Sequence, residues 1–326
     1  MPAESPLFRV RVARADLAAR GITRFELRDP QGRELPPFTA GAHVAVRTPG
    51  GAMRHYSLAG DPAERDRYVI AVKREDAGRG GSRSLVDGVC AGDELEIGPP
   101  DNQFALDERA RSVLLIAGGI GITPMMAMLA TLVREADEGR ARRFKLVYLT
   151  RDAEGTAFLG ELSRAPFAPH VLIHHDGGDP ANAYDLWPLL EKPGSVNGQH
   201  VYCCGPKALM DAVRDMTGHW PASAVHFESF GADTAAHADD TAFEVVLANS
   251  GLTLQVPVGR TILEVARAHG VSVPSSCESG TCGSCKTRLL EGEADHRDLV
   301  LLDEEKADHV MVCVSRAKGA RVVVDL

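Results

Sequence analysis

The sequence lacks any long apolar run. No stretch of the 326 residues approaches the roughly 20 consecutive apolar residues that a membrane-spanning helix needs. Residues 1–20 contain no apolar run of the kind found in secretory signals, so we expect no export. The net charge of −9 argues against a nucleic-acid-binding protein, which would show an excess of basic residues. These absences predict a cytoplasmic protein that binds neither membranes nor nucleic acids.

The composition is that of an ordinary globular protein, with 44% hydrophobic and 25% charged residues. A chain of 326 residues is too long for one ordinary core, so we expect two or three domains. The cysteines number seven, and this odd count suits reduced thiols better than a disulfide framework.

Four of these cysteines form a pattern near the C-terminus. Cys277, Cys282 and Cys285 are spaced C-x4-C-x2-C, and Cys313 follows them. This is the plant-type ligand spacing for a [2Fe–2S] cluster. A structural zinc site more often shows two separated C-x2-C pairs, and unrelated buried cysteines would rarely share one Gly/Ser-rich loop. The pattern therefore predicts a cluster, and with it a protein that transfers single electrons.

Residues 1–107 consist of short β-rich runs separated by turn signals. The runs are residues 8–12, 23–27, 43–46, 68–72 and 94–97. Regular short strands of this kind predict an antiparallel β-barrel or sandwich.

The pattern changes in residues 108–231. Continuous apolar runs at residues 112–117, 144–149, 171–173 and 200–204 alternate with helical sequence, which begins at residues 125–136. Such runs are typical of parallel strands buried on both faces. We therefore predict a small doubly wound α/β domain.

Residues 232–240 have no large apolar side chain and form a predicted linker to a third domain, residues 241–326. That domain begins with a predicted β-hairpin, whose strands are residues 243–247 and 252–256. Thr261 and Glu264 form a capping box for a short helix that ends at Gly270. A hairpin, one helix and a cysteine loop predict a compact α+β unit.

The first glycine turn of the α/β segment separates its first strand from a helix. It contains Gly118, Gly119 and Gly121, with Thr123 suited to the N-cap and Pro124 to the first helical position. Glycines permit close backbone approach, and a helix N-terminus favours phosphate. Such turns also occur without a ligand, but the position after the first strand favours a dinucleotide.

A second turn of this kind contains Cys204, Gly205 and Pro206. Because ligands of open parallel sheets gather beyond the carboxyl ends of the strands, both turns are expected to line one edge. Cys204 then lies within reach of the reactive ring of a bound dinucleotide. A tight turn with a buried cysteine is the alternative interpretation.

The barrel segment carries candidate phosphate-binding groups. An arginine, backbone amides at paired glycines and serine hydroxyls can together hold a phosphate, and Tyr56 can lie along an aromatic cofactor. Each of these features alone is also an ordinary β-domain surface. The candidate residues are Arg54, His55, Tyr56, Ser57, Ala71, Val72, Lys73, Gly80, Gly81 and Ser82.

Two acids follow the second strand of the α/β segment. Asp152 and Glu154 can favour NADH by repelling the 2′-phosphate of NADPH, although Arg151 beside them weakens this argument. Solvated loop charges are the alternative.

Taken together, these motifs resemble the ferredoxin–NAD(P)⁺ reductase superfamily. The domain order of flavin, nicotinamide and C-terminal plant-type ferredoxin is similar to oxygenase reductases of the phthalate dioxygenase type. The resemblance extends over essentially the whole chain. It is supported by residues 154–158, 200–206 and 225–231.

The resemblance implies a β-barrel FMN domain (1–107), an NAD domain (108–231) and a β-grasp ferredoxin domain (241–326). It places Arg54, His55, Tyr56 and Ser57 at the flavin, with Ser57 near its N5. The remaining implied flavin contacts are Ala71, Val72, Lys73, Gly80, Gly81, Ser82, Thr123 and Phe230. The implied NAD contacts are Gly118, Gly119, Gly121, Thr123, Pro124, Cys204, Gly205 and Pro206. Ser57, Cys204 and Thr123 are the implied catalytic residues.

NADH releases two electrons together, whereas an iron–sulfur cluster accepts one at a time, and a flavin bridges the difference. The resemblance therefore implies the monomeric reductase component of a Rieske-type aromatic-ring dioxygenase, with a phthalate-like substrate. One alternative is the reductase of a demethylating or amine-oxidising Rieske monooxygenase of the vanillate or carnitine type. Another is a non-catalytic ferredoxin module on an inactive scaffold.

Overall fold

The computed structural model describes residues 6–76, 80–140, 142–230, 240–275, 278, 280, 283–298, 300–301 and 304–326. The chain divides into two compact units, residues 4–228 and residues 229–326. Most of the predicted linker, residues 232–239, lies outside the described residues. Within the described part of the chain, no helix is both long enough and apolar enough to cross a membrane.

The first unit begins with a six-stranded antiparallel sheet in the order β4-β3-β6-β1-β2-β5. Just beyond β4, the Ala59 N–H donates to the Val69 carbonyl of β5 over 2.8 Å and so joins the two edges of the sheet. The elements are β1 (Phe8–Ala19), β2 (Ile22–Arg28), β3 (His43–Arg47), β4 (Met53–Ser57), β5 (Tyr68–Lys73), α1 (Gly81–Gly88) and β6 (Glu94–Ile97).

A five-stranded parallel sheet in the order β11-β10-β7-β8-β9 follows. The chain moves outward from β7 in both directions, so the order reverses between β7 and β10. This reversal creates the switch point at which ligands of such sheets bind. The elements are β7 (Ser112–Gly118), α2 (Ile122–Asp137), β8 (Arg143–Thr150), α3 (Leu159–Leu162), β9 (Val171–His175), α4 (Trp187–Leu190), β10 (Gln199–Cys204), α5 (Lys207–Met216) and β11 (Val225–Glu228).

One hydrophobic core serves both sheets of the first unit. Phe25 and Leu85 of the antiparallel part belong to the same buried cluster as Leu115 and Tyr148 of the parallel part. A shared core fixes the two sheets relative to each other, because neither can move without exposing apolar surface.

The second unit contains a mixed five-stranded sheet in the order β13-β12-β18-β14-β16. The predicted hairpin pairs Phe243 with Val256, and the predicted capping box at Thr261 and Glu264 is present. The elements are β12 (Phe243–Leu247), β13 (Leu252–Val256), α6 (Ile262–Ala268), β14 (Lys286–Glu291), β15 (Ala294–Asp295), β16 (His309–Met311), β17 (Arg316–Ala317) and β18 (Arg321–Val324).

Two predictions about local structure are wrong. The helix expected from residue 125 begins at Ile122, where it continues a 3-10 turn over Gly119–Gly121. Thr123 is therefore not the N-cap and Pro124 is not the first helical residue. Helix α1 was not predicted, because the glycines and serines of residues 80–84, read alone, indicate a loop.

Candidate functional site

The two glycine turns meet at the carboxyl edge of the parallel sheet, as expected. Strands β7 and β10 are adjacent, with Ala117 opposite Cys204. A Cβ atom on Gly121 would lie 2.1 Å from the Cys204 carbonyl oxygen, and one on Gly205 would lie 3.0 Å from the Gly118 Cα. At Gly121 the backbones approach so closely that only glycine fits, and at Gly205 a side chain would crowd the Gly118 backbone.

The first turn presents an open face and a helix N-terminus. Gly119 has φ +54°, and a Cβ there would meet nothing within 4 Å. The Thr123 hydroxyl donates to the Ile120 carbonyl over 3.1 Å and is buried, which stabilises the turn from inside. The turn lies at the N-terminus of α2, whose dipole favours an anion at this edge.

Three residues from distant parts of the sequence meet near this edge. Ser57 ends β4, Cys204 ends β10, and Glu228 ends β11 directly opposite Cys204. The Ser57 hydroxyl donates to Glu228 Oε2 over 3.3 Å. Ser57 is 3% exposed and Cys204 is fully buried, so water is largely excluded from both side chains.

The Cys204 thiol is protonated in this environment. Burial raises its pKa well above the usual range, and the neighbouring carboxylate of Glu228 raises it further. A thiol without thiolate character is a poor nucleophile. A neutral and fully buried thiol is therefore not expected to form a covalent bond with a ligand.

Sequence reasoning missed Glu228 as a functional residue. It quoted residues 225–231 only as a distinctive stretch and predicted no strand there, whereas Val225–Glu228 forms β11. The run Val225–Phe227 contains β-branched and aromatic residues and could have been read as a strand. Glu228 then ends that strand, as Cys204 ends β10, and this position could have marked it as a site residue.

Strand β4 directs its residues to two faces. Arg54 and Tyr56 pair with Val46 and Val44 of β3, whereas Ser57 pairs with His43 on the opposite face. Burial raises the pKa of Tyr56 to about 12, so its phenol stays neutral. His55 lies on the Ser57 face.

Helix α1 and Arg54 form a site suited to phosphate. Gly80 adopts the left-handed conformation, with φ 81°, just before the helix begins at Gly81. A Cβ on Gly81 would lie 2.9 Å from both Cγ and Nε of Arg54. A guanidinium group beside a helix N-terminus attracts an anion through charge and through unpaired N–H groups. The Ser82 hydroxyl accepts from the Glu75 N–H over 3.1 Å, which ties the start of α1 to the end of β5.

Other candidate residues occupy varied positions. Ala71 and Val72 are buried in β5, and Lys73 pairs with Glu75 over 2.6 Å. The His55 ring lies 5.0 Å from that of His43. Phe230 is 42% exposed and belongs to the second unit.

An arginine from the barrel binds both acids of the loop after β8. Arg20 contacts Asp152 Oδ2 at 2.5 Å and Glu154 Oε2 at 2.7 Å. The backbone N–H of Arg20 also donates to the Glu154 backbone carbonyl over 2.7 Å. Because one arginine offsets one of the two negative charges, the repulsion toward a 2′-phosphate that these acids could exert is reduced.

In the second unit, two of the four predicted cluster ligands are described. Cys285 directly precedes β14, and Cys313 follows β16; these strands pair with Lys286 opposite Met311, so both cysteines lie at the same end of the pair. Each is 3% exposed. Cys277 and Cys282 lie outside the described residues.

The loop between the first cysteines is closely packed where it is described. Gly280 has φ +70°, and a Cβ there would lie 2.9 Å from Val314 Cγ2 and 3.1 Å from the Asp298 Cα. Glu278 Oε1 accepts from Arg267 at 2.5 Å and from the Ser275 hydroxyl at 2.8 Å. Two buried thiols beside a glycine-containing loop fit a small iron–sulfur group.

These sites define a class: a reductase with a flavin-type barrel, a dinucleotide-binding sheet and a ferredoxin-type unit. Comparisons with known proteins agree with this class for two of its parts. Residues 245–318 match the 2Fe-2S iron-sulfur cluster binding domain, and residues 110–162 match the ferric reductase NAD binding domain.

Full-length relatives make the assignment specific. Phthalate dioxygenase reductase of Burkholderia cepacia is 56% identical over 325 residues, covering 100% of this chain and 99% of that protein. A solved structure of phthalate dioxygenase reductase superposes with a TM-score of 0.83, covering 98% of both chains. The carnitine monooxygenase reductase subunit of Escherichia coli is 40% identical, with 98% of each chain covered.

The chain belongs to the family of phthalate dioxygenase reductases. It is an oxidoreductase that passes electrons from NADH through FMN to a [2Fe–2S] cluster, which disfavours the inactive-scaffold alternative. The predicted fold class, with its barrel, α/β and ferredoxin parts, is confirmed.

Proposed function

We propose that Ser57, Cys204 and Glu228 surround the place where the nicotinamide of NADH meets the flavin ring. The single observation that carries this proposal is the Ser57–Glu228 hydrogen bond of 3.3 Å, directly beside Cys204 at the ends of three strands. Glu228 fixes the direction of the Ser57 hydroxyl, and the neutral Cys204 thiol packs without adding charge. The burial of Ser57 and Cys204 keeps water from the transfer.

FMN, when bound, supplies the exchange between a two-electron donor and a one-electron acceptor. In this proposal Arg54 and the backbone at Gly80 and Gly81 hold its phosphate, because a guanidinium and a helix N-terminus converge there. Tyr56 lies along the ring. The further flavin contacts proposed are His55, Ser57, Ala71, Val72, Lys73, Ser82, Thr123 and Phe230.

NADH is assigned to the paired glycine turns. The close backbone approach of Gly121 to Cys204 supports a preformed edge that needs no rearrangement to accept a pyrophosphate. Thr123 supports the turn from inside. The residues proposed to contact NADH are Gly118, Gly119, Gly121, Thr123, Pro124, Cys204, Gly205 and Pro206.

The cluster is assigned to Cys277, Cys282, Cys285 and Cys313. Burial of both described thiols at one end of the β14–β16 pair supports this assignment. The proposed domains are residues 1–107 for FMN, 108–231 for NAD, a linker at 232–240, and 241–326 for the cluster.

The electron acceptor in this proposal is a Rieske-type aromatic-ring dioxygenase with a phthalate-like substrate, and the chain acts as a cytoplasmic monomer. The 56% identity to a phthalate dioxygenase reductase, against 40% to a carnitine monooxygenase reductase subunit, supports this partner over a demethylating or amine-oxidising monooxygenase of the vanillate or carnitine type.

The test is a reconstituted turnover assay. The purified holoprotein is combined with NADH and, separately, with the isolated oxygenase of a phthalate, a vanillate or a carnitine system. We expect product formation at least tenfold faster with the phthalate oxygenase, at equal rates of flavin reduction. Faster turnover with the vanillate or carnitine oxygenase would overturn the partner assignment, while absent flavin reduction would overturn the assigned hydride-transfer site.

A further inference from the structure

A buried tyrosine connects the first glycine turn to the loop after β8. Tyr148 lies on β8 and is fully buried. Its hydroxyl donates to the Gly119 carbonyl over 3.0 Å. The backbone of Ala157, in the loop after β8, lies close enough to the phenol oxygen to lower its pKa slightly against the effect of burial. Because burial raises the pKa of Tyr148, the phenol keeps its proton and remains a donor. The Tyr148 side chain thus bonds the backbone of the first turn and lies beside the loop after β8.

This contact fixes the orientation of one peptide group. The Gly119 carbonyl also accepts from the Ile122 N–H, so both partners of the oxygen lie on the protein side. In a planar trans peptide the carbonyl and the following N–H point in opposite directions. The Ile120 N–H is therefore directed away from Tyr148. Gly119 itself has φ +54°, and a Cβ there would meet nothing within 4 Å.

The second loop gives the tyrosine a rigid support. Ala157 is fully buried, and Phe158 has φ 60°, an uncommon conformation for a bulky residue. Arg20 binds the side chains of Asp152 and Glu154 in the same loop. Arg20 of the barrel thus binds the loop that lies beside Tyr148, and the Tyr148 hydroxyl binds the turn.

We propose that Tyr148 is a positioning residue for NADH: it holds the Gly119–Ile120 peptide so that the Ile120 N–H faces the pyrophosphate of the dinucleotide. The inference rests on the proposed assignment of this turn to NADH. Tyr148 contacts no reacting atom in this proposal. It acts on binding, through a peptide that follows a flexible glycine and that only the Ile122 N–H would otherwise hold.

The first measurement uses Tyr148→Phe, which removes one hydroxyl and keeps the ring. We expect the KM for NADH and the Kd of ADP-ribose to rise about three- to tenfold in the FMN-loaded holoprotein, with kcat within about twofold of the parent. That change corresponds to about 0.7–1.4 kcal/mol at 1.4 kcal/mol per tenfold, the net worth of one neutral hydrogen bond.

The matched control is Tyr68→Phe. Tyr68 is equally buried in the same unit, and its hydroxyl donates to one carbonyl, that of Pro36, in the barrel. Both variants lose one buried hydrogen bond, so both are expected to show similar falls in Tm. Only Tyr148→Phe is expected to change NADH and ADP-ribose binding; an equal change in both variants would mean a merely structural role and overturn the proposal.

A third variant separates this inference from the site assignment beneath it. Gly119→Asp adds a carboxylate on the open face of the turn, and aspartate tolerates a positive φ. If Gly119→Asp weakens ADP-ribose binding and Tyr148→Phe does not, the nucleotide site stands and the role of Tyr148 is refuted. If neither variant changes binding, the assignment of the turn to NADH fails as well.

Discussion

Replacement of Gly121 by alanine tests the nucleotide edge through a single added methyl group. Gly121 has an ordinary helical conformation, with φ −61°, so alanine causes no backbone strain of its own. The added methyl group would instead clash with the neighbouring backbone. The new Cβ would lie 2.1 Å from the Cys204 carbonyl oxygen, 2.5 Å from its carbon and 2.8 Å from the Gly205 nitrogen.

These neighbours are backbone atoms and cannot rotate away. Restoring an ordinary contact of 3.4 Å to the carbonyl oxygen requires a separation of 3.4 − 2.1 = 1.3 Å between the two turns. Overpacking of this kind costs about 1–3 kcal/mol of the free energy of unfolding. In a unit of this size we expect a fall in Tm of about 2–12 °C, at about 2–4 °C per kcal/mol.

The effect on hydride transfer is expected to be larger. A displacement of about 1 Å at a reacting geometry can cost about 10²-fold in rate. Anaerobic stopped-flow measurement should therefore show flavin reduction by NADH slowed about 10- to 100-fold, with FMN and cluster content unchanged.

Gly160→Ala is the matched control, because a Cβ at Gly160 meets nothing within 4 Å. We expect it to behave like the parent protein. A Gly121→Ala variant that reduces its flavin within twofold of the parent rate would refute the reasoning that these turns are fixed by close contact.

Three further predictions follow from the site and its surroundings. Ser57→Ala should slow flavin reduction by NADH about three- to tenfold, the worth of one hydrogen bond, while FMN titration shows unchanged binding. Cys285→Ser should abolish cluster iron and sulfide but preserve NADH–dye reduction through the flavin, because the cysteine belongs to the second unit. His226→Gln should flatten the fall in Tm between about pH 6.5 and 4. Burial, followed by the proximity of His200, lowers the pKa of His226 to about 4. The unfolded chain therefore binds the proton first, and stability falls as the pH falls through this window.

Each of these predictions has a contrary outcome. An unchanged reduction rate in Ser57→Ala would remove Ser57 from the transfer site. Loss of both cluster and dye reduction in Cys285→Ser would argue against independent units. An equal loss of Tm on acidification in His226→Gln and the parent would assign the acid sensitivity to other groups.

The elements with strong periodicity were predicted best. The apolar run at residues 112–117 is strand β7, Ser112–Gly118, and residues 94–97 are strand β6 without any change of bounds. The capping box at Thr261 is formed as expected. These features are local, since they depend on side-chain pattern within one or two turns of chain.

The errors occur where local rules compete. Thr123 and Pro124 have the residue types of a helix start, yet the helix begins earlier because the preceding 3-10 turn already supplies its first hydrogen bonds. Helix α1 was missed because glycine and serine favour loops in isolation. Its amphipathic burial, with Leu85 in the core, overrides that preference.

The cysteine spacing, the alternation of strands and helices, and the glycine positions can all be read from neighbouring residues. Folding brings Ser57, Cys204 and Glu228 together, and it brings the Tyr148 hydroxyl of β8 to the carbonyl of Gly119. These contacts join residues far apart in sequence. They therefore depend on the order in which the strands pair and on how the elements pack. Local pattern carries no information about which strand ends become neighbours.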